Sequence, residues 1–484
     1  MAAMNEYEHY DALGLAELVR KGEVSSRELL ESAIARAEAL NPQINAIVAE
    51  CYDEAMETAA RSDRDITEHS GPLEGVPFLI KDLAYLEGVP CTFGSRLFQD
   101  FVPDHDAELV RRYRDAGLVI FGKTNTPEVG LAATTESALL GPCRNPWNIE
   151  FTPGGSSGGA AAAVAAGILP AAHASDGGGS IRIPASCCGL VGLKPTRARN
   201  PLGPDQGEGW GSMSTAHVVT RSVRDSAAFL DITHGAASGD PYCAPSFEGS
   251  FLEAHATAPK ALRIAKDLNA ITETDVDAAC VEAVERAAAL CEALGHVGEQ
   301  ASPAYDRAAF RQATGVVVAA NVANTVYSRA EALGIEPTLD HVERLTLRTA
   351  EGGRTIPASA YVRAMSVIHQ TGRALASFHE NYDLILTPTL VSPPVPIGWL
   401  NPNMEDLDTY NERFGKFCGF TNLHNGTGQP AISLPLHWSD EGLPVGVQFA
   451  AQFGDERTLL RIARQLEEAA PWFEKRPALS GASD

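Results

Sequence analysis

Two serines in glycine-dense turns, and one lysine at the end of an apolar run, are the residues of this 484-residue chain whose types and spacing suit acyl-transfer chemistry. The first turn reads Pro153-Gly154-Gly155-Ser156-Ser157-Gly158-Gly159 and the second Asp176-Gly177-Gly178-Gly179-Ser180-Ile181-Arg182, with an alanine-rich helix candidate between them. Glycine has no β-carbon, so a ligand can approach the backbone closely and meet free N–H groups. A serine hydroxyl is a weak nucleophile at neutral pH until a nearby base takes its proton. Lys81 ends the run Val76-Pro77-Phe78-Leu79-Ile80. Burial there disfavours the ammonium form and would make the lysine such a base. The plainer reading is a structural lysine paired with its neighbour Asp82.

Other chemistries fit less well. No G-x-S-x-G elbow surrounds either serine, and no local pattern announces a histidine partner. Glycine-rich turns also cradle phosphates, but the G-x-x-x-x-G-K-[ST] pattern is absent. Cys187 and Cys188 follow the second turn and read as small core residues, since nothing points to a lowered thiol pKa or a histidine. The thirteen histidines show neither H-E-x-x-H nor paired-ligand spacing, so no metal and no other cofactor is expected. Asn425-Gly426-Thr427 matches a glycosylation sequon, which carries no meaning without export.

These residues need elements to position them. Ser25 and Glu28 have capping-box spacing ahead of an apolar helical stripe that ends at Asn41-Pro42. Val76–Asp82 reads as a buried strand delivering Lys81 at its tip. A helix over 107–116, a strand over 118–122 and a turn-rich loop over 123–128 follow. Next come a helix over 160–167 and a strand over 168–172. Later candidates are strands at 262–265, 383–388 and 431–436 and a helix over 275–294. The alternation predicts an α/β protein with a large, mixed, mostly parallel central sheet covered by helices on both faces. Residues 1–484 read as a single domain, with 235–372 a helix-rich variable region inside it, because apolar strands recur on both sides and no linker-like segment intervenes.

The strings Gly75–Asp82, Gly154–Gly159, Asp176–Ala185 and Gly189–Thr196 resemble the amidase signature family, and the likeness reaches Gly428–Ile432 and Gly442–Gln448. It covers nearly the whole chain. The C-terminal strings are similar to the branch that contains 6-aminohexanoate cyclic dimer hydrolase. The resemblance implies a Ser-cisSer-Lys triad. Ser180 matches the nucleophile, Ser156, with a cis peptide bond before it, the proton relay, and Lys81 the neutral base. It also implies an oxyanion hole from the N–H groups of Gly177, Gly178, Gly179 and Ser180. Asp176 and Arg182 match positions that brace the loop, and Ser157 a hydroxyl bonded near Lys81. At Gly178 the string carries one glycine more than the commoner family pattern, which predicts a looser loop.

The resemblance implies hydrolysis of a carbon–nitrogen acyl bond in a small neutral amide, linear, cyclic or aryl, through an acyl-enzyme. Two alternatives stay open: a carbamate (urethane) hydrolase with the same triad, and a glutamine amidotransferase subunit working with partner proteins. A homodimer is also left open. Specificity is expected to come from 235–372 and from loops near Asn125, Trp210 and Phe414–Asn425.

Composition supports a globular protein, with 44% hydrophobic and 21% charged residues. A net charge of −24 argues against nucleic-acid partners, which require clustered Lys and Arg. The longest apolar stretch, Ala160–Leu169, is too short to span a bilayer, so no membrane partner is expected. Nine irregularly placed cysteines and a start, Met1–His9, without a basic apolar leader point to a reduced cytoplasmic protein.

Overall fold

The computed structural model describes residues 6–65 and 71–479; Met1–Asn5, part of the segment read for a leader, lie outside them. In chain order the strands are β1 (Ile47–Glu50), β2 (Pro77–Lys81), β3 (Val119–Thr124), β4 (Glu136–Ser137), β5 (Gly141–Pro142), β6 (Ala171–Asp176) and β7 (Val191–Lys194). They continue with β8 (Thr215–Thr220), β9 (Arg263–Lys266), β10 (Val297–Gln300), β11 (Leu384–Pro388), β12 (Ala431–Trp438) and β13 (Pro444–Ala451). Eight of them form one sheet in the order β10-β9-β11-β13-β12-β7-β8-β6, three form a second in the order β1-β3-β2, and β4 pairs with β5. Strand β2 of the smaller sheet runs beside β6, the edge of the larger.

The α/β class and the mixed sheet agree with expectation. The expected parallel majority does not: in the large sheet only β10/β9 and β9/β11 are parallel, and the other five neighbouring pairs are antiparallel. Apolar runs buried on both faces suggest parallel strands, but here antiparallel strands are covered on both faces and carry the same pattern. Strands β12 and β13 are joined by a short turn, which dictates an antiparallel pair.

Alternation along these strands separates two faces. Ile432, Leu434, Val445, Val447 and Phe449 share one core with residues of the helices Val223–Thr233, Ala278–Ala293 and Glu456–Ala469. Each fully buried side chain of this size contributes roughly 1.5–3 kcal/mol. The opposite face meets the helix Arg182–Cys188, where Ser186 Oγ accepts the Gly446 N–H at 2.9 Å. A second core, under the helices Ser26–Ile44 and Gly158–Ala165, supports β2, β3 and β6.

The capping box at Ser25 and Glu28 forms in both directions, at 3.1 and 2.8 Å. That helix continues past Pro42. Asn45 ends it instead, with a left-handed backbone (φ 49°) that returns its N–H to the Asn41 carbonyl at 2.7 Å. The strand expected over 168–172 begins three residues later, at Ala171, and so delivers Ser175 and Asp176 at its far end. Within 235–372, β9 and β10 join the large sheet, and the helices Arg307–Leu333, Arg344–Arg354 and Ala358–Phe378 pack on one another.

Candidate active site

Strand β2 is buried along its whole length and ends in Lys81, which is 0% exposed. The neighbouring carboxylate is taken: Asp82 holds Lys123 Nζ at 3.1 Å and also accepts the Thr92 N–H. Lys123 was expected in a loop but lies in β3, which places it there. Among the described residues Lys81 therefore has no ion-pair partner. Its Nζ lies 2.7 Å from Ser156 Oγ, 2.9 Å from Ser157 Oγ and 3.1 Å from Ser175 Oγ. Burial pushes the Lys81 amine down to about 7 against a weaker upward pull from Asp176, so near neutrality much of it is unprotonated.

Ser156 and Ser157 precede the helix Gly158–Ala165, whose small alanine and glycine residues let it sit completely buried beside β6. The Gly155–Ser156 peptide bond is cis. The Ser157 N–H donates to the Ser180 carbonyl at 3.3 Å, joining the two turns. Ser180 itself lies between the end of β6 and the helix Arg182–Cys188 and is partly exposed.

The loop between them is clamped. Arg182 donates from Nε and Nη2 to the two carboxylate oxygens of Asp176, at 2.9 and 3.0 Å, with both residues fully buried. Its remaining hydrogens reach the Thr421 carbonyl, Gln448 Oε1 and Asn425 Oδ1 at 2.8, 2.6 and 2.6 Å. Burial raises the Asp176 pKa, but the Arg182 guanidinium more than offsets it and holds the carboxyl at about 2. Asp176 also accepts the N–H groups of Gly179, at 2.6 Å, and Ile181, at 3.2 Å.

That commitment corrects one expected role. The Gly179 N–H points into Asp176 and is not free to meet a substrate. Among the described residues, nothing accepts from the N–H groups of Gly177, Gly178 or Ser180. Gly179 has φ +138°, and a β-carbon there would come within 2.3 Å of Thr421 Oγ1, so only glycine fits. At Gly178, the extra glycine, a β-carbon would meet only Asn422 Oδ1, at 3.9 Å. A β-carbon on Gly177 would lie 2.8 Å from Trp210 Cε3, so the indole already fills that space.

Ser180 opens onto a cleft with two lobes. Gly130, Gly177, Ser180 and Trp210 line both. One lobe, of about 350 Å³, contains Ser156 with Tyr85, Asp205, Glu208, Asn321 and Asn324 in its wall. The other, of about 550 Å³, is walled by Leu131, Ile183, Ile271, Val318, Phe414 and Phe420. The stretches at 235–372, Trp210 and Phe414–Asn425 thus reach the cleft. Asn125 does not: its amide donates to the carbonyls of Asn45 and Gly141, and Val129–Ala133 provide that part of the wall.

A buried, pKa-depressed lysine beside a serine hydroxyl, a second serine facing a cleft, and unpartnered N–H groups around it are the parts of an amide-cleaving site. The amidase family model matches residues 28–460. The chain belongs to the amidase family. It is 38% identical, over 98% of its length and 97% of the relative's, to a 6-aminohexanoate-cyclic-dimer hydrolase of Paenarthrobacter ureafaciens. It is 34% identical, over 96% and 97%, to an acylamidase of Rhodococcus erythropolis. Among solved structures it resembles a 6-aminohexanoate cyclic dimer hydrolase complexed with substrate, with a TM-score of 0.90 and 37% identity over 97% of this chain and 99% of the other. This amidase is an enzyme that hydrolyses amides, and its fold is that of the family.

Among the amidase's described residues, no group of three or more His, Cys, Asp or Glu is placed to hold a metal ion. No helix among them is long and apolar enough to cross a membrane. All nine cysteines are unpaired, and burial pushes the thiols of Cys187 and Cys188 far up, away from reactivity. Sequence reading gave Ser175 no role, and met Thr421, Asn425 and Gln448 only inside longer strings: the specificity stretch Phe414–Asn425, the sequon and Gly442–Gln448. The Asn425 side chain donates to the Asp176 carbonyl and carboxylate and to the Met213 carbonyl. Ser175 was findable, one residue before Asp176 on the same strand. The partners from 421–448 are more than 230 residues away, and only the fold joins them.

Proposed function

We propose that Ser180 is the nucleophile of a free-standing, single-domain amidase acting on small uncharged amides, with Ser156 as proton relay and Lys81 as base. The observation that carries this reading is the state of Lys81: buried, without a carboxylate partner because Asp82 pairs with Lys123, and 2.7 Å from Ser156 Oγ. Ser180 Oγ attacks the amide carbonyl and gives its proton to Ser156, whose own proton passes to neutral Lys81. The resulting oxyanion receives N–H groups of Gly177, Gly178 and Ser180, donors already in place before charge develops. The C–N bond breaks as Ser156, resupplied by Lys81, protonates the nitrogen. The amine leaves and an ester remains on Ser180. Water then gives up a proton through the same relay and attacks the ester; the acid leaves as the relay returns that proton to Ser180 Oγ.

Asp176 and Arg182 keep the donor loop in shape, and Ser157 and Ser175 hold the lysine amine. The names of the relatives, a cyclic-dimer hydrolase and an acylamidase, support an uncharged amide substrate. Nine unpaired cysteines favour a reducing compartment such as the cytoplasm. The test is mass spectrometry of protein quenched during turnover of an anilide. An acyl adduct on the peptide containing Ser180 is expected, and an adduct confined to any other residue overturns the assignment.

A further inference from the structure

The two lobes differ in more than size. Ser156 lines the polar lobe and not the apolar one, whereas Gly178, with its free N–H, lines the apolar lobe and not the polar one. A tetrahedral carbon on Ser180 Oγ carries three further groups: the oxyanion, the nitrogen and the acyl chain. The nitrogen has to come within hydrogen-bond reach of the group that protonates it. If that group is Ser156, the nitrogen and its substituent must leave through the polar lobe. The acyl chain takes the remaining direction, into the apolar lobe.

We infer that this amidase reads an amide in one direction, seating an apolar acyl half among Leu131, Ile183, Ile271, Val318 and Phe420 and a polar amine half beside Asn321, Asn324, Asp205 and Glu208. The inference rests on the acyl-enzyme reading given above. Charge agrees with shape. The charged side chains lining the polar lobe are the carboxylates of Asp205, which also contacts His105 at 2.9 Å, and Glu208, with no lysine or arginine in its wall. Among the described residues the apolar lobe has a single charged lining residue, Arg311, which donates to the Ile271 carbonyl and lies 3.8 Å from Glu273. An ammonium on the amine half meets carboxylates, whereas an ammonium on the acyl half meets hydrocarbon and a guanidinium. The fitting substrate class is therefore an uncharged amide with an aliphatic or aryl acyl half and a polar amine half, in which an added ammonium serves as a probe of direction.

A pair of constitutional isomers isolates direction from composition: N-(5-aminopentyl)hexanamide and 6-amino-N-pentylhexanamide share formula, size and charge and differ in which half carries the ammonium. The expected kcat/KM is about tenfold or more higher for the first, the scale on which pocket contacts discriminate. In the Asp205→Asn, Glu208→Gln double variant the ratio between the isomers should fall several-fold. Calorimetric titration of both isomers into Ser180→Ala reads the same preference without turnover. Equal or reversed preference in both measurements overturns the assignment of the lobes. Preferential binding of the first isomer, with no acyl adduct on Ser180 in the wild-type protein, leaves the direction standing and overturns the acyl-enzyme reading instead.

Discussion

The floor of the cleft and its walls are built by opposite rules. On the floor, Lys81, Ser156, Ser157, Asp176 and Arg182 are buried and each polar side chain has a partner, so one arrangement is specified. In the walls, one helix, Arg307–Leu333, provides Thr314 and Val318 to one lobe and Asn321 and Asn324 to the other, with cavity in front of them. A floor of this kind tolerates no change without loss of every substrate. A wall can change which substrate is preferred while the chemistry persists.

The comparison is broken most directly at Ser180. Ser180→Ala should lower kcat/KM on all amides by about 10⁶-fold, the scale of losing a nucleophile that acts as part of a unit. An effect confined to one amide class would move Ser180 from floor to wall. Arg182→Met should cost about 3–5 kcal/mol of stability, because Asp176 is left as an unpaired buried charge. Urea unfolding measures this, and an unchanged midpoint would mean that the clamp is not what fixes the loop.

The smallest effect is on pH dependence. With Lys81 held near 7, kcat/KM should fall about tenfold per pH unit below that value, as the amine becomes protonated and can no longer accept. The sign for stability follows from the same shift. A lysine with a lower pKa folded than unfolded binds fewer protons when folded, so its contribution to stability rises with pH between about 7 and its ordinary value of 10.5. Lys194, also buried and held near 7, acts in the same direction and in the same window. Rate profiles on two different amides should share the inflection, since it belongs to the floor.

The same division explains what the sequence made legible. Lys81, Ser156, Ser157, Asp176, Gly177, Gly178, Ser180 and Arg182 lie in short strings, and the fold brings those strings together around one cleft. Gly179 was misassigned because a glycine announces space but not where its N–H points, and Asp176 claims that hydrogen. Strand direction was misread because burial on both faces erases the alternation that separates parallel from antiparallel strands. The buried partners of Arg182 and the cover of Trp210 over Gly177 join distant segments, and no local pattern encodes them.

The helix that serves both lobes also gives the cleft a length scale, like a ruler. Thr314 and Asn324 are ten residues apart, so at 1.5 Å per residue about 15 Å of axis runs along the cleft that Ser180 lines. A flexible substrate of about a dozen chain atoms, cut near its midpoint, would lie along that length. Shortening either half would leave one end of the ruler unused, whereas moving the amide off centre would push one end beyond it. Substitutions on this one helical face could therefore recalibrate both halves of the substrate while the serines and lysine beneath stay as they are.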